Sequence, residues 1–174
     1  MIKKTYFIIL IIFVLAFCCS DAFLQNPYTP LINKNEKVLF SFKVEKSEKI
    51  ITIAINTGNP DYIVYRFGLK GKIELEFPLN KENSWKEFTY SYYLRGGGAG
   101  NLGMDLNYLT FANGDYTYTI YTEYYSEDEI TKVGIKIKNN ISNKEFNING
   151  DPKSIVGSLI DLRNDKRIKI KEME

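Results

Sequence analysis

The stretch that decides the fold is KIELEFP, residues 72–78, together with TKVGIKIK, residues 131–138. In the first, Ile73, Leu75 and Phe77 alternate with Lys72, Glu74 and Glu76. In the second, Val133, Ile135 and Ile137 alternate with Lys132, Lys136 and Lys138. Successive side chains of a strand point to opposite faces, so each stretch reads as a strand with one face on a core and one in water. Working outward, Val38, Phe40, Phe42 and Val44 share a face of one earlier strand, and Ile51, Ile53 and Ile55 share a face of the next.

Turn chemistry separates these runs. Glu45-Lys46-Ser47-Glu48, Thr57-Gly58-Asn59-Pro60, Leu69-Lys70-Gly71 and Asn113-Gly114-Asp115 each interrupt the alternation, and Asn149-Gly150-Asp151-Pro152 and Asn164-Asp165 mark later turns. An Asn-Gly pair suits a tight hairpin because it tolerates positive φ. The 13 Tyr and 11 Phe agree with strand-rich structure. About ten short strands punctuated by turns predict an all-β fold: an antiparallel β-sandwich or flattened barrel, following an N-terminal hydrophobic leader helix. Ser154–Leu162 is read as a strand or a helical turn.

The leader occupies residues 1–22. Lys3 and Lys4 precede an apolar run from Tyr6 to Phe17, and Cys18, Cys19, Ser20 and Ala22 follow. This order is that of a signal peptide. The run is shorter than the roughly 20 residues that a spanning helix needs. Cleavage after Ser20 or Ala22 releases a soluble chain; lipidation at Cys18 or Cys19 tethers it. The expected location is exported, periplasmic or extracellular, with the membrane engaged only through leader or lipid. Residues 23–35, with Pro27 and Pro30, read as an extended arm, and residues 36–174 as a single β domain.

Both cysteines lie in the leader, so no disulfide or thiolate site is expected in the domain. The chain has no His. That removes the commonest general base and metal ligand, and no calcium-loop pattern is present, so neither a metal nor a cofactor is expected. With a net charge of +2 and signs interspersed, no nucleic-acid partner is expected either.

The segment Tyr90–Tyr108, YSYYLRGGGAGNLGMDLNY, carries five glycines within eight residues. Gly98, Gly100 and Gly103 match a dinucleotide fingerprint in spacing, but that motif needs a strand feeding a helix in a βαβ unit. Two readings remain: a plain flexible loop, or a recognition loop in which Arg95, Gly96, Gly97, Gly98 and Asn101 meet a partner. Tyr65 and Arg66, in YIVYRFG, are expected to flank it, with Arg66 pointing outward. Other tyrosines read as core or cross-strand pairs, or as an interface. Glu74 and Glu76 look like the solvent side of their strand. No nucleophile motif is recognisable, and a non-enzymatic protein is expected.

YIVYRFG, KIELEFP, SWKEFTYSYYLRGGG, NLGMDLNYLTF and YTYTIYTEYYSEDE resemble a group of small exported bacterial proteins that carry no assigned activity. The resemblance implies export and a small β domain. In size and location the group is similar to periplasmic lysozyme inhibitors, β-rich proteins that insert a loop into an enzyme cleft. The expected function is therefore a binding protein, inhibitor-like or immunity-like, occluding a protein partner of the cell envelope. The alternatives are a small-ligand or glycan-binding module and a structural envelope protein. An apolar pocket between the sheets favours the former; a protruding loop favours the inhibitor.

Overall fold

The computed structural model of the chain describes residues 28–98 and 100–173. The leader with Cys18 and Cys19, and the start of the arm, lie outside the described residues.

The chain folds as a β-sandwich of two sheets. The first holds β1 (Lys37–Lys43), β2 (Ile50–Asn56), β3 (Tyr62–Leu69), β4 (Lys72–Phe77) and the short β10 (Val156–Gly157), in the order β10-β1-β2-β3-β4. The second holds β5 (Phe88–Arg95), β6 (Met104–Asn113), β7 (Tyr116–Tyr125), β8 (Ile130–Asn139), β9 (Glu145–Asn149) and β11 (Lys169–Glu172), in the order β11-β5-β6-β7-β8-β9. Each sheet is thus an antiparallel meander with one late strand added at its edge. The added strand β11 runs parallel to β5, the one departure from antiparallel pairing among the named strands. Two separate sheets decide for a sandwich over a flattened barrel.

The alternation read in the sequence places the core. Phe42, Ile51, Ile53, Ile63 and Tyr65 from the first sheet meet Phe88, Tyr90, Leu109, Phe111, Ile120 and Ile135 from the second. Phe111 stacks on Phe77 at 4.6 Å and on Tyr118 at 4.9 Å between ring centroids, so aromatic side chains bridge the sheets. β1 departs from the simple reading. Its register shifts between Val38 and Phe40, and this irregularity puts Leu39 into the core beside Phe40 and Phe42, while Val38 is only half-buried.

The tight hairpin at Asn113-Gly114-Asp115 forms one residue later than the Asn-Gly pair suggests. Asn113 pairs with Tyr116, which leaves Gly114 and Asp115 as the two loop residues. Gly114, at φ 57°, takes the positive φ that the first position of such a turn requires. The segment Ser154–Leu162 contains both expected forms: β10 pairs with β1, and a 3-10 helix covers Leu159–Asn164, capped by the Ser158 hydroxyl.

Residues 28–36 lie across the outer face of the first sheet. The Leu31 amide donates to Thr52 Oγ1 at 3.0 Å, and Leu31 and Glu36 are both buried. The arm is packed, and the residues that hold it come from the strands beneath.

Candidate functional site

The second sheet extends beyond the first at the end where β5 joins β6. On its inner face, Tyr90, Leu109 and Ile120 are completely buried, whereas Leu94, further along β5, is 59% exposed. Tyr92 and Tyr124 on the same face are also exposed. The inner face here is covered only in part: Arg163 of the 3-10 helix lies 4.9 Å over the Tyr92 ring and pairs with Asp105, while Leu94 beside it stays open. Tyr93 is exposed on the opposite face, and Leu102 is exposed near the tip.

The glycine-rich segment forms that tip. Gly98 and Asn101 exchange both backbone hydrogen bonds, at 3.0 and 3.1 Å, forming an isolated bridge beyond the β5–β6 ladder, which ends at Arg95 and Met104. Gly103 is tied to the neighbouring loop: its amide donates to Ser126 Oγ at 2.7 Å, and its carbonyl accepts from the Ser126 amide at 3.0 Å. Arg95 reaches along the hairpin. Its Nε donates to the Leu102 carbonyl at 2.8 Å, and Nη2 lies 3.1 Å from Met104 Sδ. Both partners are neutral, so among the described residues nothing pairs with the Arg95 charge. The structure therefore brings Arg95, Gly96, Gly97, Gly98 and Asn101 together on one projecting hairpin, and gives Arg95 a bracing role there.

Tyr65 and Arg66 do not join them, which corrects the expectation. Tyr65 is 2% exposed and packs its ring 5.0 Å from Phe111 inside the sandwich. Arg66 does point away from the core, as alternation predicts, but it is only 1% exposed because the arm covers it. Ser41, Thr52, Arg66 and Glu76 are cross-strand partners in one row over four strands. Onto this row the arm lowers Glu36. Arg66 Nη1 and Nη2 donate to the two Glu36 oxygens at 2.5 and 2.8 Å, Nε donates to Glu76 Oε2 at 2.6 Å, and Nη1 also reaches the Leu31 carbonyl at 3.1 Å. Tyr62 Oη donates to Glu36 Oε1 at 2.8 Å, and Lys81 Nζ donates to Glu76 Oε1 at 2.6 Å. Burial alone raises a carboxyl, but these donors outweigh it and hold Glu36 and Glu76 below the usual carboxylate range. Glu76 is thus half-buried between Arg66 and Lys81, whereas the sequence reads it as solvent-facing. Glu74 remains at the surface, paired with Lys49 at 2.8 Å.

A second polar cluster, on the outer face of the second sheet, escaped the sequence reading. Glu123 is nearly buried there. It accepts from Tyr108 Oη at 2.9 Å, Lys136 Nζ at 3.0 Å and Tyr125 Oη at 3.3 Å. Burial works against its charge, yet these donors keep its carboxyl below the ordinary range. Lys136 reaches it by lying over the Tyr121 ring, 4.7 Å from the centroid. Tyr121 lies flat because its cross-strand partner is Gly134, where a Cβ would meet the Tyr121 hydroxyl at 2.5 Å. Beside this cluster is an open depression of about 660 Å³, edged by Glu45, Asn147, Asn149 and Asp151. The available signal was Tyr121-Thr122-Glu123-Tyr124-Tyr125, where an acid alternates with tyrosines on one face; the lysines that complete it come from another strand.

Among the described residues, no group of three or more His, Cys, Asp or Glu is arranged to hold a metal ion. Comparison with known proteins gives no match to any family model, to any curated protein or to any solved structure.

Proposed function

We propose that this chain is an exported, non-enzymatic binding protein whose β5–β6 hairpin inserts into a cleft of a protein partner in the cell envelope. The observation that supports the reading is the exposure of Tyr92, Tyr93, Leu94 and Leu102 on a hairpin that continues past the covered core. Single apolar residues at a surface are ordinary, but several on one projecting element are a feature of interaction sites. Tyrosine supplies large contact area with few rotatable bonds. The slim glycine backbone of Gly96, Gly97 and Gly98 permits close approach, and the unneutralised Arg95 supplies a positive charge for an acidic rim. The reading rests on an occluding contact and involves no change of covalent bonds.

The test is affinity capture from envelope extracts with the wild type, Leu94→Asp/Leu102→Asp, and Arg95→Ala. The expected result is one partner recovered by the wild type and lost with the double variant, followed by a direct binding measurement on the purified pair. Equal recovery by wild type and double variant rejects the hairpin as the binding element. The mass of the secreted chain separates cleavage after Ser20 or Ala22 from lipidation at Cys18 or Cys19.

A further inference from the structure

A cleft of about 280 Å³ opens between the two sheets, far in sequence from the hairpin tip. Ile51, Phe67 and Leu75 line it from the first sheet, and Ile135, Ile137 and Ile148 from the second. Its remaining lining residues are Tyr65, Tyr118 and Glu74. At the rim, Glu74 is neutralised by Lys49, which also covers the Phe67 ring at 5.0 Å. The volume lies just below the roughly 300–1,000 Å³ common for ligand pockets, and the apolar walls with few polar groups match their usual chemistry.

The two tyrosines are the informative groups. Tyr65 is 98% buried, from an exposure of 2%, and Tyr118 is half-buried with its ring stacked on Phe111. Among the described residues neither hydroxyl has a hydrogen-bond partner, unlike those of Tyr62, Tyr90, Tyr108, Tyr121 and Tyr125, each of which donates to a side-chain oxygen. Neither hydroxyl oxygen is sealed off from its surroundings, so both are open to the cleft, where a bound molecule can take the hydrogen bond that the protein does not supply. Burial pushes the Tyr65 hydroxyl far above its ordinary pKa, with Tyr118 adding to the effect, so the site opposes charge and keeps both groups as neutral donors.

We infer that this cleft binds a small neutral molecule with an apolar body and one carbonyl-type oxygen, which accepts a hydrogen bond from Tyr65 or Tyr118. A charged carboxylate is disfavoured because it would lose its hydration among isoleucines and lie near Glu74. The site is independent of the hairpin, and either assignment can fail without the other.

The test uses the full chain and 2-octanone as probe, with octanoate as the charged counterpart of similar length. Binding is read from the isoleucine methyl signals of Ile51, Ile135, Ile137 and Ile148 by NMR. Saturable shifts of these methyls with 2-octanone are expected, with octanoate at least about tenfold weaker, a ratio equivalent to roughly 1.4 kcal/mol. Tyr65→Phe or Tyr118→Phe, both shape-preserving, should weaken 2-octanone by about three- to tenfold, the range of one neutral hydrogen bond. Ile148→Trp, at a half-buried edge position, should fill the cleft and abolish the shifts while the remaining spectrum stays folded. No saturable shift up to the solubility limit overturns the site. Unchanged binding in Ile148→Trp overturns its location. Full affinity in both tyrosine variants, or octanoate binding as tightly as the ketone, overturns the ligand chemistry.

Discussion

The outer faces of the two sheets solve the same problem in different ways. Each carries an ionisable cluster on a face that alternation alone assigns to water. On the first sheet, Arg66 is enclosed between Glu36 and Glu76, and residues 28–36 close over it. On the second, Glu123 is held by Tyr108, Tyr125 and Lys136, and the lysine remains about half exposed. The first face is sealed by its own chain; the second is left open beside a broad polar depression. The difference teaches that alternation assigns a side chain to a face, while exposure depends on what another segment lays over that face.

The largest break in this comparison comes from Arg66→Ala. It leaves the buried Glu36 of the arm and the half-buried Glu76 of the strand without their shared guanidinium, and breaking a buried pair from one side typically costs about 3–5 kcal/mol. Urea unfolding at pH 7 measures it, and a loss below about 1 kcal/mol would mean that the arm lifts freely. The pH dependence sharpens the point. In the wild type, Glu36 and Glu76 have depressed carboxyls, so their contribution is complete above the ordinary glutamate range and is lost as pH falls through the lower folded values. In Arg66→Ala the burial that opposes their charge is left with fewer compensating donors. Protonation then relieves the penalty, and the deficit relative to wild type should shrink as pH drops from 7 toward 4. A deficit that stays constant over that range contradicts the buried-pair account.

Gly134→Ala probes the open face. A Cβ there meets the Tyr121 hydroxyl at 2.5 Å and the Ile148 carbonyl at 2.6 Å, so the ring must lift or the strand must shift. Overpacking of this kind typically costs about 1–3 kcal/mol. A drop in thermal midpoint should be accompanied by loss of the upfield shifts that ring stacking imposes on Lys136, and an unshifted midpoint rejects the flat-lying Tyr121. Glu123→Gln should cost about 1–2 kcal/mol, less than Arg66→Ala, because it weakens charge-assisted hydrogen bonds without stranding an enclosed charge. Lys136→Met should give the smallest effect, about 0–1 kcal/mol, as expected for a half-exposed ion pair. If Lys136→Met proved as damaging as Arg66→Ala, the contrast between a sealed and an open face would collapse.

Much of the fold was legible because strand periodicity is local. Thr131–Lys138 announces its two faces without reference to any partner, whereas in Lys72–Phe77 the irregular pairing beside Gly68 leaves Ile73 exposed against its expected place on the core face. The hairpin tip was legible for a similar reason, since Arg95 and the glycines that follow it are contiguous. The Glu123 cluster was not, because Tyr108, Glu123 and Lys136 sit on three strands and meet only through register. Tyr65 was misread because it was grouped with the outward Arg66, although alternation places its ring on the opposite face, where it packs on Phe111.

By itself, then, the sequence determined which segments become strands, where the turns fall, and that Arg66 points away from the core. Its alternation and turn residues act over a few positions, so no distant partner is needed to read them. Only the tertiary structure decided that Arg66 is buried, that Glu36 arrives from 30 residues away to neutralise it, and that the end of the second sheet is only partly covered, by Arg163. Those outcomes depend on the packing of one segment over another, and a linear pattern does not record which segment will lie on which face.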